Sequence, residues 1–463
     1  MKSNSHCLGI GLILAAAKLA SAQPSTPPPV LAPPAPPPPQ NIQLPPGQTM
    51  LTLDKAVELA LQQQPLLKEA QASADVAYGR VDLAKVARNP TVTLSASAGL
   101  SSNTGRTTFD PTTGTVVTTN GGFFTTAEQT GLAAQLNWRL YDFGQTHLNI
   151  KAAELNADAA QVSIDTTRLD VRLNVATAYL TTVADQKLVK VAETTVKSEE
   201  GHLDQAKRFV AAQAKDPIEV VEAQARLANA KSALAQSQSN LAVALANLRA
   251  AIGWIDPANS FIVEANWPEP PAQDPAELGK LVGEAREHRP EIVAFDKQVA
   301  AGEASLDAAH AERRPILSAS AQTSWTPDSQ DWNPDPTWSA GLVLSWNLFD
   351  GFKSRADVKI AKANLANTHA QRDALLVSLT SALDSARAQI VADRANVQAS
   401  NEAVTAARAQ LQLAEARYAQ GLGSQIELTD AQTAVTTAEG NLVSAQFQLA
   451  DAWELLRRAL GQI

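Results

Sequence analysis

Cysteine is all but missing from these 463 residues: the single one, Cys7, stands near the start. Everything after it is therefore without disulfides, thiol chemistry or cysteine-ligated metal. Histidine is scarce as well, at positions 6, 147, 202, 288, 310 and 369, never within ligand spacing of one another. With no glycine-rich phosphate loop either, the sequence calls for no metal, no cofactor and no catalytic constellation. Tyr141-Asp-Phe-Gly144 contains a kinase tripeptide, but none of its companion motifs are present. Only 5% of residues are aromatic, and no run of eighteen apolar residues offers a membrane-spanning helix. Acidic residues outnumber basic ones, 47 to 38, which disfavours nucleic acid as a partner.

Lys2, an apolar run from Leu8 to Ala17, and Ala20-Ser-Ala22 have the layout of a secretory signal peptide over residues 1–22. Its apolar stretch falls well short of the roughly twenty residues needed to cross a bilayer. Cleavage is expected before Gln23. Cys7 would leave with the leader, so no lipid attachment is expected. Two lysines would leave with it, giving 38 − 2 = 36 basic against 47 acidic residues, a net charge of −11. Residues 23–50 form a proline-rich spacer, in which Pro36 to Pro39 are consecutive and polyproline II replaces any packed core.

Beyond the spacer the sequence repeats itself at an offset of 208 residues. Trp138-Arg-Leu-Tyr-Asp142 answers Trp346-Asn-Leu-Phe-Asp350, Ile218-Glu-Val-Val-Glu-Ala-Gln224 answers Ile426-Glu-Leu-Thr-Asp-Ala-Gln432, and Leu248-Arg-Ala-Ala-Ile-Gly253 answers Leu456-Arg-Arg-Ala-Leu-Gly461. Earlier in each half the offset is 225, pairing Gln64-Pro65 with Arg289-Pro290 and Pro90 with Pro315. The extra residues lie between Pro90 and Trp138, where Asn103-Thr-Gly, Asp110-Pro-Thr-Thr-Gly114 and Asn120-Gly-Gly122 mark an enlarged loop. The chain thus divides into a first repeat at 51–253, a linker at 254–274 and a second repeat at 275–463.

Each half carries heptad-spaced helices. Leu148, Ala152, Leu155, Ala159, Val162, Thr166 and Leu169 step by four and three, and Leu376, Leu383, Ile390, Val397, Val404 and Leu411 step by seven. Residues 145–212 and 353–420 predict helices on the order of 100 Å long. Shorter helices are predicted at 53–88, 218–252, 275–314 and 426–460. Between them the period changes to two: Val92, Leu94, Ala96, Ala98 and Leu100; Leu132, Ala134, Leu136, Trp138 and Leu140; Leu317, Ala319 and Ala321; Leu342, Leu344 and Trp346. These are four strands, each long enough to cross a bilayer when tilted. Their polar faces are Ser, Thr, Gly, Asn and Gln rather than charged, and Trp sits near strand ends, which favours a membrane barrel over a water-facing sheet. Four strands cannot close alone, and lipid tolerates no open edge. Three copies give twelve strands.

The competing reading is a soluble periplasmic coiled-coil adaptor or scaffold. A diffusion porin would need far more strands and no long helices.

These residues resemble the TolC family of outer-membrane efflux and secretion channels over essentially the whole mature chain. The specific matches are Leu51-Thr-Leu-Asp-Lys-Ala56, Trp346-Asn-Leu-Phe-Asp350, and Arg417-Tyr-Ala-Gln-Gly421 followed by Ile426-Glu-Leu-Thr-Asp-Ala-Gln432. The resemblance implies a mainly α homotrimer in which antiparallel coiled-coil helices build a periplasmic tunnel and a twelve-stranded β-barrel stands in outer-membrane lipid. It further implies an adaptor protein and an inner-membrane pump as partners, in tripartite efflux or type I secretion. It places a periplasmic gate at Glu427, Asp430, Tyr418 and Glu219, with tip turns at Gly421 and Gly423 and at Asp216 and Pro217. An arginine that some members carry after the turn glycine is Gly423 here, so Arg208 or Arg417 would have to replace it. In the first turn, Ala212 stands near the place of Gly421, and Pro217 suits a first helical position. Helix capping alone would also place acids at Glu427 and Asp430.

Overall fold

The computed structural model describes residues 50–102, 107–118, 126–254, 262–327 and 335–462. The expected signal peptide, all of the expected spacer before Met50, and the turn formers at Asn103 and Asn120-Gly-Gly122 lie outside the described residues. The elements run β1 (Met50–Leu51), α1 (Leu53–Gln63), α2 (Pro65–Val86), β2 (Thr91–Ser102), β3 (Thr107–Asp110), β4 (Thr115–Thr118), β5 (Thr126–Tyr141), α3 (Gln145–Ala211) and α4 (Ile218–Ile252). There follow β6 (Ile262–Val263), α5 (Leu278–His288), α6 (Pro290–Ala311), β7 (Ile316–Trp325), β8 (Thr337–Ser345), α7 (Lys353–Ala419) and α8 (Gln425–Leu460).

Two sequence expectations need correction. The single helices expected over 53–88 and 275–314 are each two. Gln64 and Arg289 take extended backbone, as a residue before proline is pushed to do, and Pro65 and Pro290 restart the helix at its first turn. Nor is the enlarged loop all loop, because it carries the β3–β4 hairpin, paired from Thr107↔Thr118 to Asp110↔Thr115. The four-residue strands were hidden among turn formers.

The repeated motifs acquire physical reasons. Gly253 and Gly461 end α4 and α8 in the left-handed region, at φ 80° and 77°. A Cβ on Gly253 would lie 3.0 Å from Gln64 Cα, and one on Gly461 3.0 Å from the His288 carbonyl. Each glycine therefore lets a helix end seat on the proline break of its own half. The Trp and Asp of the second motif build the strand-to-helix corner. Trp138 Nε1 donates to the Arg88 carbonyl at 2.8 Å and Trp346 Nε1 to the Arg313 carbonyl at 3.1 Å, tying each strand to the end of the preceding helix. Asp142 then accepts from Thr146 N at 2.9 Å and from its hydroxyl, and Asp350 does the same for Ser354, so each long helix begins on a satisfied first turn.

The helices pack as two hairpins, α3 with α4 and α7 with α8, joined where α3 meets α6 and α8. α7 buries Leu379, Leu383, Ile390, Asp393, Ser400, Val404, Ala407, Ala414 and Tyr418, in steps of three, four and seven that keep the heptad register along its seam. Small residues do the close packing: Ala244 and Ala445 are almost wholly buried, and Ala230 and Ala438 are buried less deeply. β1 and β6 pair in parallel and hang on α3, where Tyr179 Oη donates to the Leu51 and Glu264 carbonyls at 3.2 and 3.3 Å. From there the chain crosses to α8 through Trp267 Nε1 on Gln446 Oε1 (2.7 Å). It reaches α7 through Arg394, which grips the Pro271 and Ala272 carbonyls and Asp274. The segment at 262–274 is thus a belt at mid-height of the helices.

The remaining sheet has the order β2-β5-β7-β8, all antiparallel. Its register lines up the expected apolar faces: Val92↔Leu136, Leu136↔Ala321 and Ala321↔Ala340 make one cross-strand row, and Leu317↔Leu344 and Ala319↔Leu342 continue that face. No described helix covers this face. Val92, Leu94, Leu342 and Leu344 are each about two-thirds exposed or more. Among the described residues, β2 and β8 have no strand on their outer edges. No described helix is long and apolar enough to cross a membrane.

Candidate functional site

The two helical hairpins end in turns brought side by side at the far end from the sheet. The second turn is built by capping. Gly421 takes φ 72°, Leu422 and Gly423 both donate to the Arg417 carbonyl, and Ser424 Oγ accepts from Glu427 N at 3.1 Å to start α8. Gly423 lies tight against the backbone it caps, since a Cβ there would meet Tyr418 N at 3.0 Å and the Arg417 carbonyl carbon at 3.2 Å. A side chain there would require this backbone to give by a few tenths of an ångström, so glycine is the residue that fits the turn without adjustment. In the first turn the left-handed residue is Gln213, at φ 52°, next to Ala212. Gln213 is the true counterpart of Gly421 at the 208-residue offset, held in a conformation that glycine adopts at less cost. Asp216 Oδ1 accepts from Ile218 N at 3.0 Å, and Pro217 stands just outside α4 as its cap rather than inside it.

Tyr418 joins the hairpins. Its hydroxyl, at the end of α7, donates to Glu219 Oε2 on α4 at 2.8 Å, and its ring is 1% exposed, edge-on to Phe209 of α3 with centroids 5.7 Å apart. Burial, and then the Glu219 carboxylate, push the Tyr418 hydroxyl well above the usual phenol range, so it remains a donor throughout the physiological range. Lys215 completes the group. Its ammonium is 3.2 Å from Glu219 Oε1 and 5.3 Å from the Tyr418 ring centroid. Sequence reasoning missed Lys215 and Phe209. The offset alone pointed to Lys215, which is the counterpart of Gly423.

The other expected residues are dispersed. Arg417 pairs with Glu427 at 3.3 Å, but both are partly exposed and belong to one hairpin, so the pair stitches the turn and contributes little. Arg208 is exposed and makes no ion pair among the described residues. Asp430 is exposed one turn further along α8, on an open groove of about 590 Å³ between α7 and α8 lined by Ser400, Ala403, Thr433, Thr437 and Asn441. Within one chain Glu427 and Asp430 face solvent on successive turns. The arrangement links the two hairpins through the Tyr418–Glu219 hydrogen bond and presents acidic charge to solvent.

Comparison with known proteins was made on this basis. A family model described as "Outer membrane efflux protein" matches residues 56–254 and 281–462. Protein CyaE of Bordetella pertussis is 28% identical, over 89% of this chain and 84% of its own. Nodulation protein T of Rhizobium leguminosarum bv. trifolii is 23% identical, over 88% and 85%. Among solved structures, the outer membrane protein VceC of Vibrio cholerae superposes with a TM-score of 0.70 at 21% identity, covering 89% of this chain and 96% of that one.

Proposed function

This chain belongs to the outer membrane efflux protein family, and from that membership we propose a closed trimeric duct whose helical end stands in the periplasm. As a family member it is a channel subunit for efflux or secretion in the outer membrane and not an enzyme. Three copies would supply twelve strands to the barrel.

One observation carries the trimer: residues buried in one half of the chain have exposed apolar counterparts in the other. α6 lies between α3 and α7 and buries Ala301, Ala308 and Ala311. At the 225-residue offset these are Val76, Leu83 and Val86 of α2, which are 58%, 70% and 48% exposed. On α7, the exposed Ile360, Val377 and Val391 correspond at 208 residues to Ala152, Leu169 and Val183, all buried on α3. The outer face of α2 therefore lacks a long helix, and α7 lacks a short one. A neighbouring copy supplies both if its α2 packs on this α7 and its β2 on this β8, repeating between chains the β5–β7 and α3–α6 contacts within one. Apolar residues left exposed in the pattern of a buried core mark an interface. Crosslinking of the detergent-solubilised protein should stop at three subunits. A protein that remains monomeric in mild detergent would rule the duct out.

At the tip, threefold symmetry would turn Glu427 and Asp430 into two stacked acidic rings that draw cations and constrict the pore. Replacing both by alanine is expected to raise single-channel conductance in planar bilayers and to weaken cation preference. Unchanged selectivity in a folded double variant would reduce these acids to helix caps. Ile218, Leu422 and Ile426, all more than half exposed on the two turns, offer an apolar end on which a periplasmic adaptor docks, linking the duct to an inner-membrane pump.

A further inference from the structure

No contact within the chain accounts for Gly79. It sits in the interior of α2, where glycine is the poorest helix former after proline, and a Cβ placed there would meet nothing within 4 Å. The other half of the chain shows what such a glycine is for. On α6 a Cβ on Gly302 would lie 3.0 Å from Leu365 Cδ1 of α7, so Gly302 makes room for a large side chain of the next helix. Gly79 belongs to a heptad column on α2, Glu69, Ala72, Val76, Gly79 and Leu83, exposed at every position. α7 carries a second such column, Ala356, Ile360, Ala363, Asn367 and Ala370, likewise exposed throughout. Its counterparts at 208 residues, from Leu148 to Val162 on α3, are buried or partly buried.

We propose that Gly79 is the socket for Ile360 of a neighbouring copy, and that this contact, with the charges beside it, fixes a single register between α2 of one chain and α7 of the next. The inference rests on the trimeric reading above and adds the contacts by which the copies find one alignment.

The repeat supplies the register. Lys297 of α6 reaches Asp158 of α3 at 3.2 Å, beside the buried Ala159, so Lys297 and Ala159 share a layer between these antiparallel helices. Carried by the two offsets, that layer becomes Ala72 of one copy on Asn367 of the next. The layers that follow set Val76 on Ala363, Gly79 on Ile360 and Leu83 on Ala356, each a large side chain against a small one. The strands agree, since the pair Leu136↔Ala321 of β5 and β7 carries over to Leu344 on β8 and Ala96 on the next copy's β2. Charges flanking the seam match in the same register: Lys68 faces Asp373, Asp82 faces Lys359 and Arg80 faces Asp357. Among the described residues Lys68, Arg80, Lys359 and Asp373 make no ion pair, while Asp82 has Lys85 at 3.9 Å and Asp357 has Lys353 at 2.9 Å. Exposed pairs add little strength, but they reject the alternatives. A slip of one heptad would put Asp75 against Asp373 and Glu69 against Val377.

The test uses paired cysteines in a full-length Cys7→Ser background, oxidised in detergent extracts and run on denaturing gels without reductant. Gly79→Cys with Ile360→Cys should give disulfide-linked dimers and trimers, whereas Ala72→Cys with Ile360→Cys, one heptad out of register, should run as a monomer. Gly79→Leu should leave the helicity of the chain unchanged, because its surroundings within the chain are open, yet lower the trimer yield about tenfold by overfilling the socket. Adding Ile360→Ala, which returns the volume, should restore the trimer. Lys359→Asp should also weaken assembly, and Asp82→Lys added to it should recover the yield. Trimers that form without the first disulfide, that tolerate Gly79→Leu, or whose yield ignores Lys359→Asp would overturn the register and leave the duct standing. Native chains that never pass the monomer would overturn both.

Discussion

Glu219→Ala is expected to give the largest gain in conductance of any single substitution. It removes the acceptor that holds Tyr418 across the two hairpins at 2.8 Å, a bond to a charged group worth about 1.5–3 kcal/mol. A loss of ~2 kcal/mol shifts a closed-to-open ratio about thirtyfold per chain. Tyr418→Phe should act in the same direction while keeping the ring against Phe209. It separates the hydrogen bond from the packing and leaves Lys215 paired with Glu219. Conductance in planar bilayers is the readout. Native-like conductance in both variants would show that the hairpins are held elsewhere.

The second large effect is on stability. Near the top of α8, Glu454 is 6% exposed and pairs with Arg172 of α3 at 3.4 Å and with Arg457 at 3.0 Å. Beside it Arg458 joins Asp170 at 2.7 Å and Glu291 at 3.3 Å, and Arg289 grips Glu291 at 3.0 Å. These groups clamp α3, α8 and the α5–α6 break, the place where Gly461 seats. Burial pushes the Glu291 carboxyl up, but the hydrogen bonds and charge of Arg289, with Arg458, outweigh it and hold the group below the usual range. Its stabilisation is thus present at neutral pH and lost in acid. Glu454→Ala leaves the Arg172 guanidinium, 14% exposed, with the Gln462 carbonyl at 3.0 Å as its remaining partner among the described residues. Stranding a buried charge typically costs about 3–5 kcal/mol; the surviving carbonyl bond sets the expectation at ~3 kcal/mol, a marked fall in thermal midpoint. The double variant Glu454→Met with Arg172→Met should recover most of it, because apolar pairs often replace buried ion pairs without loss. A double variant as unstable as the single would show that packing, and not the stranded charge, carries the effect.

The long helices were legible to within a residue or so at each end, because a period of 3.5 over more than sixty residues is a strong signal and proline and glycine punctuate it. The strand faces were legible for the same reason, through a period of two. The breaks at Gln64 and Arg289 were visible as X-Pro pairs, but the helical pattern on both sides hid that they interrupt it. The site was less legible. Tyr418 and Glu219 came from the family resemblance, whereas the contact of Lys215 with the Tyr418 ring depends on the packing of one hairpin on the other, which no local pattern reports. Gly423 shows the reverse case: its meaning is a contact distance that no sequence prints.

The uncovered edges of β2 and β8 bear on how the molecule is born. A lone chain has no state compatible with lipid, since its sheet would carry unpaired amides and carbonyls into hydrocarbon. Its helices face no such obstacle and can form in water, where local heptad contacts make them quick to fold. In the proposed trimer, biogenesis would divide into a fast, solitary stage and a slow, collective one. The collective stage depends on encounter between copies, so membrane insertion should rise more steeply than linearly with protein supply. A cell that makes too little of this chain would then accumulate folded helices with nowhere to go.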